Sequence, residues 1–187
     1  MKKIVLTFSF FLVCAVLYLG FSRDLLIKNF TGNFEPYPKI DFILKDVNNK
    51  NVEYQLVQND NGVSKPEAKS KPIVLFFWTK SCSVCKEDLT FLNEIGNNQK
   101  FKDVKIVSVA SAESLNSMGA FIKKYKSNLN YPVLVDSNNE VAAKYDVYKF
   151  PETFLINREG MVFKRFIGAI SSNEVREEFI NNLTSSI

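Results

Sequence analysis

The sequence contains no histidine and only three cysteines in 187 residues. A structural zinc site needs about four ligands. Cys82 and Cys85 supply two at most, and Cys14 lies inside an apolar N-terminal run, so the donors for an intramolecular zinc are missing. An excess of one charge is missing too: 24 Lys and Arg stand against 20 Asp and Glu, a formal net charge of +4. The basic residues are scattered, with no basic block and no interleaving with aromatics, which leaves nucleic-acid binding unsupported. No internal repeat or low-complexity array is present. Apolar residues are plentiful, at 46% of the chain with 17 phenylalanines, enough for a core. The length suits one domain plus an appendage.

The two remaining cysteines fall in the most informative stretch. An apolar run, Ile73 to Trp78, predicts a buried strand, followed by the polar break Thr79-Lys80-Ser81. Cys82 and Cys85 then open a predicted helix, continued on one face by Leu89, Leu92 and Ile95 and stopped by Gly96-Asn97-Asn98. A helix's first turn carries unpaired N–H groups and the positive end of the macrodipole, which favour a thiolate over a thiol. Cys82 is therefore expected to have a lowered pKa and to act as the nucleophile in disulfide exchange. Cys85, at i+3, shares its face and is placed to resolve a mixed disulfide. Lys80 and Lys86 add positive charge nearby. Asp88, another three residues on, is positioned to exchange a proton with Cys85. A static staple is the rival, but a loop this short gains little chain entropy from closure. A pair of ordinary buried thiols is the other rival. The redox dithiol is the reading adopted, and it requires no metal, flavin or nucleotide cofactor, since the sulfurs are the redox group.

Met1-Lys2-Lys3 precedes an uncharged run from Ile4 to Phe21. About 18 helical residues span roughly 27 Å, close to a bilayer's hydrocarbon core. The flanking lysines predict a cytoplasmic N-terminus for residues 1–3 and an uncleaved anchor over 4–22. No small-x-small cleavage site follows the run, which argues against a signal peptide. Residues 23–38 read as a linker and 39–187 as the domain. The dithiol is thereby placed outside the cytoplasm, where disulfide exchange is common.

Within the domain, Phe42-Ile43-Leu44 and Val52 to Leu56 flank Asn48-Asn49-Lys50-Asn51, a hairpin signal. Gln58 to Lys71 reads as a loop. Val104 to Ala110 is a predicted central strand. Leu115, Met118, Ile122 and Tyr125 form a helical core stripe. Tyr131 to Val135 reads as a strand and Glu140 to Tyr145 as a short helix. Pro151 opens a further apolar strand, a placement that an edge strand tolerates. A turn at Asn157 to Gly160 leads to a return strand, Met161 to Phe166, ended by Gly168. Ser171 with Glu174 predicts the cap of a last helix with Val175, Phe179, Ile180 and Leu183 on its apolar face. Strands alternating with helices argue for an α/β domain.

Trp78 followed by Cys82-x-x-Cys85 at a strand-to-helix turn resembles the active site of thioredoxin-fold proteins. It is closer to the membrane-anchored, TlpA-like branch, in which a basic residue and then an acid follow the second cysteine, as Lys86 and Asp88 do here. Ser83-Val84 departs from that branch, where proline is common, and this dipeptide helps set the potential. Phe76 stands where soluble thioredoxins carry a buried acid, which leaves Asp88 as the substitute. Val147-Tyr148 and Pro151-Glu152-Thr153-Phe154-Leu155-Ile156 resemble the CcmG/DsbE family of cytochrome c maturation. That resemblance implies a thioredoxin-like mixed sheet flanked by helices and a cis peptide before Pro151, facing the dithiol. It implies that Phe150 offers backbone hydrogen bonds to an extended substrate, and that Glu152 lies beside the dithiol. Lys149 replaces the family's usual glycine and Phe150 a usually small residue. The implied substrates are disulfides in apocytochrome c or haem-ligation proteins, with a membrane electron donor of the DsbD/CcdA type and a place on the periplasmic side of a bacterial inner membrane. A general extracytoplasmic reductase or oxidase, and a binding module without turnover, are the alternatives.

Overall fold

The computed structural model describes residues 34–48, 50–54, 71–125 and 129–187. The anchor expected at 4–22, Cys14 and most of the loop expected from Gln58 lie outside the described residues. Among the described residues, no helix is long and apolar enough to cross a membrane.

The run Ile73–Trp78 forms strand β4, and every residue after the first is buried. A strand without alternation must be covered on both faces, and so belongs in the middle of a sheet. The described residues build an eight-stranded sheet in the order β1-β8-β7-β4-β5-β6-β2-β3. β5 (Lys105–Ser111) runs parallel to β4, and β6 (Val133–Asp136) parallel to β5. On the other side, β7 (Glu152–Ile156) and β8 (Met161–Ile167) pair antiparallel. The predicted hairpin is β2 (Phe42–Asp46) with β3 (Asn51–Tyr54). β1 (Tyr37–Pro38) joins β8, so the sheet begins two residues inside the stretch read as linker.

Helix α1 (Cys85–Asn97) connects β4 to β5, and α2 (Leu115–Tyr125) connects β5 to β6. Both crossovers step in the same direction along the sheet, and right-handed connections then put both helices on one face. The core on that face joins Val74, Phe76 and Trp78 to Cys85, Leu89, Leu92 and Met118. Helix α4 (Asn173–Ser185) covers the same face, with Phe179 stacked edge-on against Phe91 at 5.6 Å. Its cap is Ser172, whose hydroxyl accepts from Val175 N–H. The predicted Ser171 cap is one residue early, because Ser172 has the extended backbone that lets its side chain turn back onto the helix.

The opposite face carries Phe77, Phe154 and Tyr145, with ring centroids 5.3 to 5.7 Å apart. Tyr145 ends the short helix α3 (Glu140–Lys144). Its hydroxyl donates to Ile40 O at 3.0 Å and accepts from Ile40 N–H at 3.1 Å, tying the chain's entry to this core. Burial pushes this phenol well above its ordinary pKa.

Candidate active site

β4 delivers the chain to the edge of the sheet, and residues 79–84 turn it into α1. Glu113, in the connection after β5, accepts from Lys80 N–H at 3.1 Å and pairs with Lys80 Nζ at 3.5 Å. Lys80 Nζ also reaches Ser117 Oγ. The turn is thus fastened to α2, and the Lys80 charge expected to favour a thiolate is shared with Glu113.

Cys82 and Cys85 are joined by a disulfide, with Cα atoms 5.4 Å apart. The assigned helix begins at Cys85, so Cys82 lies in the turn before it rather than inside it. The reason is visible at the cap. Val84 has no side chain able to accept the first free N–H groups, and Cys82 Sγ accepts from Cys85 N–H at 3.2 Å instead. The sulfur does the work of a capping oxygen. The two cysteines differ in access: Cys82 is partly exposed, while Cys85 is fully buried. Ser83 and Val84 are exposed, Val84 at 43%. Trp78 is buried, stacks against Phe121 at 5.8 Å, and its indole N–H has no acceptor among the described residues.

Asp88 lies one turn after Cys85 and is fully buried. Its Oδ1 accepts from Ile170 N–H at 3.1 Å, and its Oδ2 has no hydrogen-bond partner among the described residues. Burial raises its pKa from 3.8 to about 6, against the opposing pull of the Ile170 hydrogen bond and the Arg176 charge. Phe76, where a buried acid would otherwise stand, is packed in the core.

The Phe150–Pro151 peptide bond is cis. Pro151 is buried, and its carbonyl accepts from Gly168 N–H at 2.8 Å. β7 pairs with β4 and β8, so an edge-strand placement does not apply. Phe77 is opposite Glu152, and one step further along that ladder brings Pro151 level with Trp78 and the start of the dithiol turn. Phe150 is partly exposed beside it. Glu152 is fully buried. Being opposite Phe77, it belongs to the face that carries Phe154 and Tyr145, not to the face that packs Cys85. Its carboxylate meets Arg165 at 2.6 Å and accepts from the N–H groups of Tyr148 and Lys149 at 3.2 and 3.1 Å.

Arg165, Glu113 and Arg176 carry no functional signal in the sequence. Their partners are 13, 33 and 6 residues away, and nothing in the spacing joins them. The one available hint is the pair Lys164-Arg165, two adjacent charges that point to opposite faces of an otherwise apolar return strand.

A mixed sheet of this order, a dithiol where the central strand turns into a helix, and a cis-proline level with it define a thioredoxin-like fold built for thiol–disulfide exchange. The chain belongs to the AhpC/TSA family, whose sequence model matches residues 40–165. It is 30% identical over 166 residues to thiol-disulfide oxidoreductase ResA of Bacillus subtilis, covering 89% of this chain and 84% of that protein. It is 30% identical over 112 residues to sporulation thiol-disulfide oxidoreductase A of the same organism, covering 58% of this chain and 67% of that protein. The fold matches a crystal structure of a putative thiol:disulfide interchange protein DsbE from Chlorobium tepidum. The TM-score is 0.63 at 21% identity, over 82% of this chain and 99% of that one. The activity is that of a protein thiol–disulfide oxidoreductase.

Proposed function

We propose that this protein is a membrane-anchored, extracytoplasmic reductant of disulfides in apocytochrome c or its haem-ligation partners. One observation carries the division of labour: Cys82 is the accessible sulfur and holds a helix N–H, whereas Cys85 is buried behind it. On reduction, a thiolate at Cys82 turns that hydrogen bond into a charge-assisted one, which favours ionisation. The Cys82 thiolate attacks one sulfur of the substrate disulfide, and the other leaves as a thiolate. Cys85 gives up its proton, attacks Cys82 Sγ, and releases the second substrate thiolate. The substrate gains two electrons and the protein ends as the Cys82–Cys85 disulfide. Asp88, ionised at neutral pH but with a raised pKa, is the base for the Cys85 proton. A membrane electron donor of the DsbD/CcdA type restores the dithiol.

A second reading is a role in disulfide exchange outside cytochrome maturation, favoured by the similarity to the sporulation oxidoreductase. Two experiments test the proposal. Cys85→Ser is expected to accumulate a mixed disulfide through Cys82 that reducing agents release; normal turnover by this variant would overturn the mechanism. The potential of the wild-type pair is expected near −270 mV or somewhat above, as for thioredoxin, whereas roughly −120 mV would make the protein a disulfide donor. Loss of haem-attached cytochrome c in a deletion strain, with other disulfide proteins unaffected, separates the two readings.

A further inference from the structure

The ion pair between buried Glu152 and partly buried Arg165 lies on the sheet face away from Cys85. An isolated buried pair contributes little net stability, because desolvation offsets the attraction. This pair has further partners: the guanidinium lies 5.3 Å from the Phe154 ring centroid in β7, and the pair's other side-chain hydrogen bonds all go to one loop. Glu152 Oε1 accepts from the backbone N–H groups of Tyr148 and Lys149. Arg165 donates through Nε to Glu152 Oε2 at 2.8 Å and through a terminal nitrogen to the Asp146 carbonyl at 2.6 Å. Its guanidinium also lies 5.2 Å from the Tyr148 ring centroid, and Tyr148 is 69% exposed. Two side chains anchored in β7 and β8 therefore fix three backbone groups and one exposed ring. The loop they fix runs directly into Phe150–Pro151.

We propose that Arg165 and Glu152 are positioning residues for substrate recognition: together they set the shape of the Asp146–Pro151 loop against which a protein disulfide docks. The inference rests on the reading above, in which the segment beside the cis-proline meets the substrate. The pair acts on binding and not on the sulfurs. A small disulfide that needs no docking surface should barely register its loss.

The test uses the reduced protein with two oxidants, Ellman's reagent and an oxidised peptide bearing one Cys-x-x-Cys disulfide. Arg165→Ala is expected to raise KM for the peptide about tenfold or more, on the scale of one lost hydrogen bond to a charged group. kcat is expected to stay within about twofold, and the potential of the Cys82–Cys85 pair to stay in place. Arg165→Lys restores the charge but not the fork, and is expected to recover part of the loss. Glu152→Gln keeps an acceptor for the two loop N–H groups and is expected to fall between wild type and Arg165→Ala. A parallel fall with both oxidants, a shifted potential, or an unchanged peptide KM in Arg165→Lys and Glu152→Gln would overturn the inference. Wild-type protein that reacts with neither oxidant would instead overturn the exchange reading itself. Arg165→Lys and Glu152→Gln keep a polar group at each position, so they carry the test if Arg165→Ala fails to fold.

Discussion

Replacing Asp88 by Asn should remove a pH-dependent instability from the oxidised protein. Folding buries this carboxyl and raises its pKa from 3.8 to about 6. Over the interval between those values, the folded chain holds a proton that the unfolded chain has lost. Stability therefore falls as pH rises through that window and is flat, for this group, on either side of it. One pKa unit corresponds to about 1.4 kcal/mol, so the ionised carboxylate costs about 3 kcal/mol at pH 7. Roughly 2 kcal/mol of that is recovered on acidification to about pH 4.5.

Asparagine retains an oxygen for the Ile170 N–H, but its amide group faces the position of Oδ2, which has no partner among the described residues. That unsatisfied donor costs on the order of 1–2 kcal/mol. The net gain at pH 7 is then about 1–2 kcal/mol, or roughly half to one molar in urea midpoint for a slope near 2 kcal/mol/M. Urea unfolding of both proteins, disulfide intact, at about pH 4.5 and pH 7 measures it. Other carboxylates also titrate there, so the difference between the two proteins is the quantity to follow. Parallel pH profiles would refute the reasoning, because they would mean that Asp88 titrates normally in the folded chain. The same variant should slow resolution of the mixed disulfide at neutral pH, where the native carboxylate is mostly ionised.

Glu113→Gln removes a negative charge from beside the turn while keeping an acceptor for Lys80 N–H. The freed lysine is expected to lower the Cys82 pKa by a few tenths of a unit at low salt, read from the pH dependence of alkylation and fading as salt is raised. Tyr145→Phe leaves both polar groups of Ile40 without their phenol partner. It is expected to cost about 1–3 kcal/mol in urea unfolding, with the Cys82–Cys85 potential unchanged.

The sequence made the chemistry legible because the chemistry is local. The dithiol, the strand before it and the helix after it lie within one continuous stretch, and apolar periodicity finds both elements. The hairpin, the central strands and the last helix follow from the same patterning. The capping pattern points to Ser171, one residue before the true cap, because Ser171 and Ser172 are chemically equivalent until the backbone selects one of them. The position of Glu152 was not legible. Its side of the sheet depends on the β4–β7 register, which pairs it with Phe77 rather than with Phe76 or Trp78, and a single residue of slip would reverse that. Arg165 and Glu113 act through contacts that only the folded sheet creates.

The register also separates two functions that the sequence runs together in adjacent residues. Even-numbered positions of β4 face α1 and share the core of Cys85, while odd-numbered ones face Tyr145 and Phe154. Asp88 and Cys85 belong to the first side, Glu152 and Arg165 to the second. Sites without shared partners are expected to be additive. Asp88→Asn combined with Arg165→Lys should therefore give the sum of the two separate effects, one on proton-dependent resolution and one on peptide KM. Coupling well beyond about 0.5 kcal/mol between them would mean that the loop and the dithiol helix move together, and that positioning and chemistry are a single device.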